Sequence, residues 1–302
     1  MAMKQATSKN EFLRLGKAPA KRDPRNLQLR AILKKAVPLP TEYDFDLNHP
    51  NVPTPMFGND TYGCCVISGR AHQTLRFELV EQKKIIPITT AEVTDEYFNE
   101  SGGADSGLIM LTSIGLWRKR GWMAGKKRYF IRAYSEVNRA RVNEVKTAIF
   151  MNLGVGIGLR LPNTAEKEMQ AGKPWTQTTG TGSKPGSWGG HYVYVSGYTK
   201  LGPTCVTWGR KQQMSWAFFS AYCDEAYAII DALNTTKKRA IIDEKKLAAF
   251  LTTVSKPKSG RRPAAKKSGA RKASAKTSTK KVARGARVPK FKPGKALKDS
   301  VN

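Results

Sequence analysis

The sequence holds few of the residues that build metal and disulfide frameworks. Its 302 residues include four cysteines (Cys64, Cys65, Cys205, Cys223) and three histidines (His49, His72, His191). Four cysteines in a chain of this length, with no CxxC pair, make no disulfide scaffold. The ligand spacing of a structural zinc site is missing as well, and no metal or other cofactor is expected. No apolar run approaches the ~20 residues that span a bilayer, so no membrane partner is expected. The first residues, MAMKQATSKNEFLRLGK, contain no apolar segment of the secretory kind. A cytoplasmic, reducing setting fits these absences. Acidic residues are also scarce: 23 Asp and Glu stand against 53 Lys and Arg, a net charge of +30.

That charge sits at the ends. Residues 255–302 carry 17 Lys and Arg against one acid, Asp299, and residues 1–40 carry ten against Glu11 and Asp23. The middle has an ordinary globular composition, and a hydrophobic fraction of 40% supports a core. The last 48 residues have almost no large apolar side chain before Val288. They cannot bury enough surface to offset ordering entropy and read as a disordered tail. Their Lys, Ala, Ser and Pro bias is like that of histone-like tails. Such a tail binds polyanions strongly, blind to sequence and sensitive to salt, which makes nucleic acid an expected partner of residues 255–302.

Between the ends, the pattern reads as an α+β chain. Residues 1–37 form a basic N-terminal extension with a short helix over 26–37. PLPTEYDFDLNHPNVPTPM is Pro-rich chain lying along a surface. Apolar spacing predicts helices from Cys65 to Leu79, from Ala91 with Thr90 as cap, over 108–120 and over 143–152. YFIRAY, VGIGLRL, GGHYVYVSGYT and TCVTWG read as strands. MSWAFFSAYCDEAYAIID is a strand or short helix leading into a last apolar element. Residues 162–188 read as mobile loop, and 236–254 as a linker.

The stretch GNDTYGCCVISGRAHQTLRFEL carries the chemistry. Gly58, Asn59, Asp60 and Gly63 are turn residues, so Cys65 stands where a loop enters a helix. Helix N-termini favour negative charge, and a thiol there has its pKa lowered when a cation is near. Asn59 can aim an amide at an anion forming beside the sulfur. Of the three histidines, His72 lies about 10 Å along the same helix, and His49 reads as surface. His191 follows Gly189-Gly190 at the start of a strand, at an edge open to a cleft, and is the partner for an activated thiolate.

These residues resemble the papain-like cysteine peptidases over roughly residues 38–231, within a domain expected to span 38–235. Asn59 stands at the place of that family's Gln, and Gly63-Cys64-Cys65-Val66 at its nucleophile. SGGADSGLIMLTSIGLWRKRGW is similar to its Gly-Gly substrate loop and following helix, GGHYVYVSGY to its catalytic-histidine strand, and VTWG to its Asn-Ser-Trp-Gly element. The resemblance implies two lobes, helical and antiparallel β. It implies Cys65 as nucleophile, His191 as base and Asn59 as oxyanion donor, with Gly102, Gly103 and Gly190 lining the cleft for a peptide or protein substrate. Three departures stand out. Val206 falls at the orienting Asn, leaving Thr207 or a backbone carbonyl, beside Trp208, to hold the imidazole. Asn59 is one methylene shorter than Gln. Tyr62 replaces a disulfide cysteine. Without a long inhibitory segment ahead of the domain, the chain is not expected to be a latent secreted form; a bacterial or phage-encoded protein would suit that. The expectation is therefore a thiol amide hydrolase with a nucleic-acid-binding tail. An inactive papain-fold protein with a DNA-associated or structural role, and an acyltransferase, are the alternatives.

Overall fold

A computed structural model describes residues 13–151, 154–231 and 241–255. The tail read as disordered and histone-like lies outside the described residues. Contacts divide the chain into a unit Met1–Pro257 and a unit Lys258–Asn302.

The helices of the first unit are α1 (Leu29–Ile32), α2 (Cys65–Gln82), α3 (Thr90–Ser101), α4 (Met110–Arg120), α5 (Val142–Phe150), α6 (Asn163–Gln170), α7 (Trp216–Tyr222) and α8 (Glu244–Ser255). Its strands are β1 (Tyr43–Asp44), β2 (Trp122–Ala124), β3 (Lys127–Tyr129), β4 (Ala133–Glu136), β5 (Val155–Leu161), β6 (Gly189–Tyr198), β7 (Pro203–Thr207), β8 (Arg210–Gln213) and β9 (Cys223–Ile230). An antiparallel sheet runs β4-β9-β5-β6-β7-β8, with β1 also paired to β6; β2 and β3 form a separate hairpin. Helices packed on an antiparallel sheet make this an α+β chain.

The sheet buries side chains on both faces, and β6 shows how. Val193 and Val195 join one core with residues of α1, α5, α6, α7 and α8. Tyr192 joins the other, built on α2, α3, α4 and the β2–β3 hairpin. Period-two alternation divides the two faces. The helical core also holds Arg76, which donates from Nε and Nη2 to the two carboxylate oxygens of Asp46 at 2.8 and 2.7 Å.

One contact sets how deeply α2 sits on the sheet. The Tyr192 ring fills the space where Gly69 of α2 and Gly156 of β5 lack side chains. A Cβ at Gly69 would lie 2.1 Å from the ring, and one at Gly156 2.2 Å from its hydroxyl. The hydroxyl donates to Gln73 Oε1 at 2.8 Å, and Gln73 Nε2 donates to the Gly154 carbonyl at 2.5 Å. Helix, strand and incoming loop are thereby tied through one buried phenol.

Several boundaries differ from expectation for local reasons. Thr89, not Thr90, caps α3: its hydroxyl accepts the Glu92 N–H and Glu92 accepts the Thr89 N–H, a capping box. Residues 162–188 are not all loop, because α6 buries Thr164, Ala165 and Met169. The supposed linker contains α8, and Ile241, Ile242 and Leu247 pack into the core. The N-terminal residues are not a loose extension either: Leu27, Leu29 and Ile32 are core residues. The Pro-rich segment buries Phe45, Asp46 and Val52. The strand expected at YFIRAY begins later, at Ala133.

Gly69→Ala should lower stability by about 1–3 kcal/mol, the usual cost of overpacking, read as a lower denaturant midpoint with unchanged slope. Tyr192→Phe should cost about 1–3 kcal/mol, because it leaves Gln73 Oε1 buried and unpaired.

Candidate active site

Cys65 is the first residue of α2, and Cys64 is its N-cap with no side-chain cap bond. The Cys65 sulfur is buried and accepts the Tyr192 backbone N–H at 3.5 Å. The sulfur therefore meets the backbone one residue beyond His191, 126 positions from Cys65 in the chain. The Cys64 sulfur turns the other way, toward Ser68 Oγ at 3.3 Å and the Phe57 carbonyl. All four cysteines are free.

His191 is fully buried, not open at a strand edge. Its Nε2 lies 2.6 Å from Thr207 Oγ1, and its Nδ1 has no hydrogen-bond partner among the described residues. The ring stacks on Trp208 at 3.9 Å between centroids and 10° between planes. Trp208 and Gly209 form the two-residue turn joining β7 to β8, with φ of 43° and 70°. A tight hairpin turn of this kind needs left-handed backbone at both positions. Its bulky first residue is held there by the histidine, by Trp188 and by Trp175. Thr207, one residue beyond Val206, is thus the side chain that meets the imidazole.

The His49 ring lies against Phe45, tilted by 34° with centroids 4.4 Å apart. His72 is buried inside α2 and pushed well below the ordinary imidazole range by desolvation, then by the Arg76 charge. Neither meets Cys65. Among the described residues, the carboxylates of Glu78, Glu81 and Asp231 gather within 4.8 Å of one another, but Glu78 is about 20 Å along α2 from Cys65. It already bonds Gln82.

A feature absent from the sequence expectation covers the site. Residues 14–18 run as extended chain over the sulfur, a strap bonded on both sides. The Lys17 N–H donates to the Gly190 carbonyl at 3.0 Å, the Leu108 N–H to the Gly16 carbonyl at 2.8 Å, and the Ala18 N–H to the Leu108 carbonyl at 2.9 Å. Glycine makes this approach feasible. A Cβ on Gly16 would lie 1.7 Å from the Gly63 carbonyl oxygen, and one on Gly190 2.1 Å from the Lys17 oxygen. The Arg14 carbonyl accepts from Asn59 Nδ2 and from Trp208 Nε1, each at 3.1 Å. Asn59 also donates to the Tyr62 carbonyl. Its amide is spent on the strap and its own loop rather than on open space beside the sulfur.

The wall opposite Gly190 is Gly107-Leu108, not the pair Gly102-Gly103. Those two glycines end α3, and a Cβ on either would meet nothing within 4 Å. Asp105 ties this wall to the loop before Cys65: it accepts from the Gly63 N–H at 2.9 Å and from Tyr97 OH at 2.6 Å. Spacing alone could have flagged Gly107, five residues after Gly102, as a second turn before α4.

Burial under the strap decides the protonation states. Desolvation pushes the Cys65 thiol up to about 11, against N–H groups of Tyr192, Gly16 and Val66 and the Lys17 charge, which favour thiolate. Desolvation pushes His191 down to about 3. The expected lowered thiol pKa is therefore not found: the covered pair is neutral thiol and neutral imidazole. An uncovered imidazole gains a proton near pH 6.5, whereas the covered one resists until about pH 3. The covered arrangement keeps its full contribution from His191 above pH 6.5 and loses it as pH falls through that window.

Two measurements check these states. In the intact protein the His191 ring resonances should keep their neutral values from about pH 8 to about pH 5. Gly16→Ala should push the strap off its backbone neighbours and raise the iodoacetamide labelling rate of Cys65 at least about tenfold, the effect expected of overpacking against rigid backbone.

No protein-family profile matches the chain, and no curated protein does. Solved structures do match. Xylellain, a cysteine protease from Xylella fastidiosa, superposes with a TM-score of 0.59 at 17% identity, over 76% of this chain and 100% of that one. Digestive procathepsin L 3 of Tenebrio molitor larval midgut gives 0.51 at 13% identity, over 72% and 77%. The proform of the ragweed pollen cysteine protease Amb a 11 gives 0.52 at 13%, over 74% and 70%. The chain thus shares the fold of papain-like cysteine proteases.

Proposed function

We propose that this protein is a thiol amide hydrolase acting on peptides or proteins, held latent by its own residues 14–18. The observation that carries this reading is the meeting of the Cys65 sulfur with the backbone beside His191, whose Nε2 is held by Thr207. The groove over that sulfur already binds an extended peptide, the strap, through backbone bonds on both walls. A substrate would use the same bonds once the strap is displaced.

In the uncovered site His191 takes the Cys65 proton through its unpartnered Nδ1. Thr207 holds the Nε2 side and accepts from it when the ring becomes imidazolium. The thiolate attacks the substrate carbonyl carbon and its electron pair moves to oxygen. The Cys65 N–H and Asn59 Nδ2 stabilise that oxyanion, the amide turning from the Arg14 carbonyl it now serves. His191 then gives its proton to the leaving amine, and water hydrolyses the thioester with His191 as base.

A second reading has a specific observation behind it. Both groups are buried and neutral, and the described cleft is filled, which suits a papain-fold protein without activity. Hydrolysis separates the two. Once the strap is loosened by Gly16→Ala, a mixture of peptides should be cut. Cys65→Ser should abolish cutting, His191→Ala should lower it by about 10²–10⁴-fold, and Thr207→Val should lower it less than His191→Ala. No cutting under any of these conditions would favour the inactive reading.

The tail adds a separate proposal. Residues 255–302, with 17 basic residues and one acid, would anchor the protein to nucleic acid. Affinity for duplex DNA should fall steeply with salt and vanish on truncation after Val254.

A further inference from the structure

The strap residue whose charge is read most deeply is Lys17. Its side chain is 1% exposed, and its ammonium lies 3.0 Å from both Asp224 Oδ2 and Glu225 Oε1. We propose that Gly158, Asp224 and Glu225 form a specificity pocket that selects a lysine or arginine side chain of the substrate, Lys17 being its occupant in the covered state. This inference rests on the reading of the groove as a peptide-binding cleft.

Neighbouring residues of a regular strand point to opposite faces, so Asp224 and Glu225 should not share a partner. They do because the pairing of β5 with β9 slips here. Gly158 pairs with Glu225 and Leu159 with Cys223, leaving Asp224 as the extra residue of a bulge. A bulge re-aims side chains, and here it turns two consecutive carboxylates onto one point. The other wall is shaped by an absence. A Cβ on Gly158 would lie 2.1 Å from Lys17 Cε and 2.8 Å from Asp224 Oδ1. Any larger residue there would close the slot that admits a long side chain.

The charge balance indicates what the slot accepts. Two carboxylates face one ammonium, and their side chains are 19% and 5% exposed. Asp224 Oδ1 and Glu225 Oε2 have no hydrogen-bond partner among the described residues. Emptied of Lys17, the pocket would hold buried, uncompensated negative charge, an unfavourable state that a cation relieves. Arginine, with five donors in a planar fork, can serve the idle oxygens better than lysine. Asp224 and Glu225 also line a cavity of about 430 Å³, shared with Glu136 and Arg139. The frame is sequence-blind: the Lys17 N–H and the peptide groups on either side of it bond only to main chain of Gly190 and Leu108. Selectivity at this position therefore comes from the side-chain slot.

The test uses the full chain and reads iodoacetamide labelling of Cys65, which requires no hydrolysis. Lys17→Met keeps the length and removes the charge; it should speed labelling at least about tenfold, whereas Lys17→Arg should not. Added to the Lys17→Met protein, the peptides acetyl-Leu-Gly-Arg-Ala-amide and acetyl-Leu-Gly-Lys-Ala-amide should protect Cys65. The norleucine peptide should need at least about tenfold more, and Glu225→Gln should shrink that gap. Labelling of Lys17→Met at the wild-type rate, equal protection by norleucine, or no protection by any peptide would overturn the pocket. Hydrolysis without a basic preference would overturn the pocket and leave the hydrolase; selective protection without hydrolysis would do the reverse.

Discussion

The depth at which α2 rests on the sheet governs everything at the site. Tyr192 sets it, wedged against two glycines and bonded to Gln73. Because the Tyr192 N–H also reaches the Cys65 sulfur, the residue that locks helix to strand also seats the thiol against the backbone that follows His191. A side chain on Gly69 would lift the helix N-terminus and carry the sulfur away. The seat of the sulfur is thus a by-product of core packing, which is rigid, rather than of loop conformation, which is not.

On that base the strap adds a second layer of contacts. It contributes an N–H to the sulfur, occupies the Asn59 amide and inserts a cation between two carboxylates. It also removes water. Desolvation outweighs the donors around the sulfur and leaves both thiol and imidazole neutral. The same helix terminus that would favour thiolate in an open cleft cannot do so beneath a dry cover. Exposure of the cleft, more than any change in the residues themselves, would set the chemistry.

Much of this was legible in the sequence where one strong local signal fixed an element. The run VGIGLRL alternates and is β5 at the residues expected; GGHYVYVSGY is β6. Gly121 ended α4 as a glycine after a basic last turn should. Thr207 was visible as a neighbour of the missing asparagine, though register rather than composition puts it on the imidazole. What could not be read were long-range partnerships. Nothing near Lys17 in the sequence announces Asp224, and a bulge in β9 leaves no compositional mark. Residues 13–20 look like an ordinary basic arm because their bonds to the groove are main-chain bonds. The thiol pKa departs from the sequence expectation for the same reason: helix position is local, burial is not.

The most direct measurement is the pH profile of Cys65 alkylation in protein whose strap has been displaced. Two inflections are expected, with reactive thiolate persisting well below the ordinary thiol range as an ion pair with His191. In His191→Ala the profile should collapse to one inflection near the ordinary thiol value. A single inflection in the uncovered protein, unmoved by His191→Ala, would contradict a working pair of sulfur and imidazole.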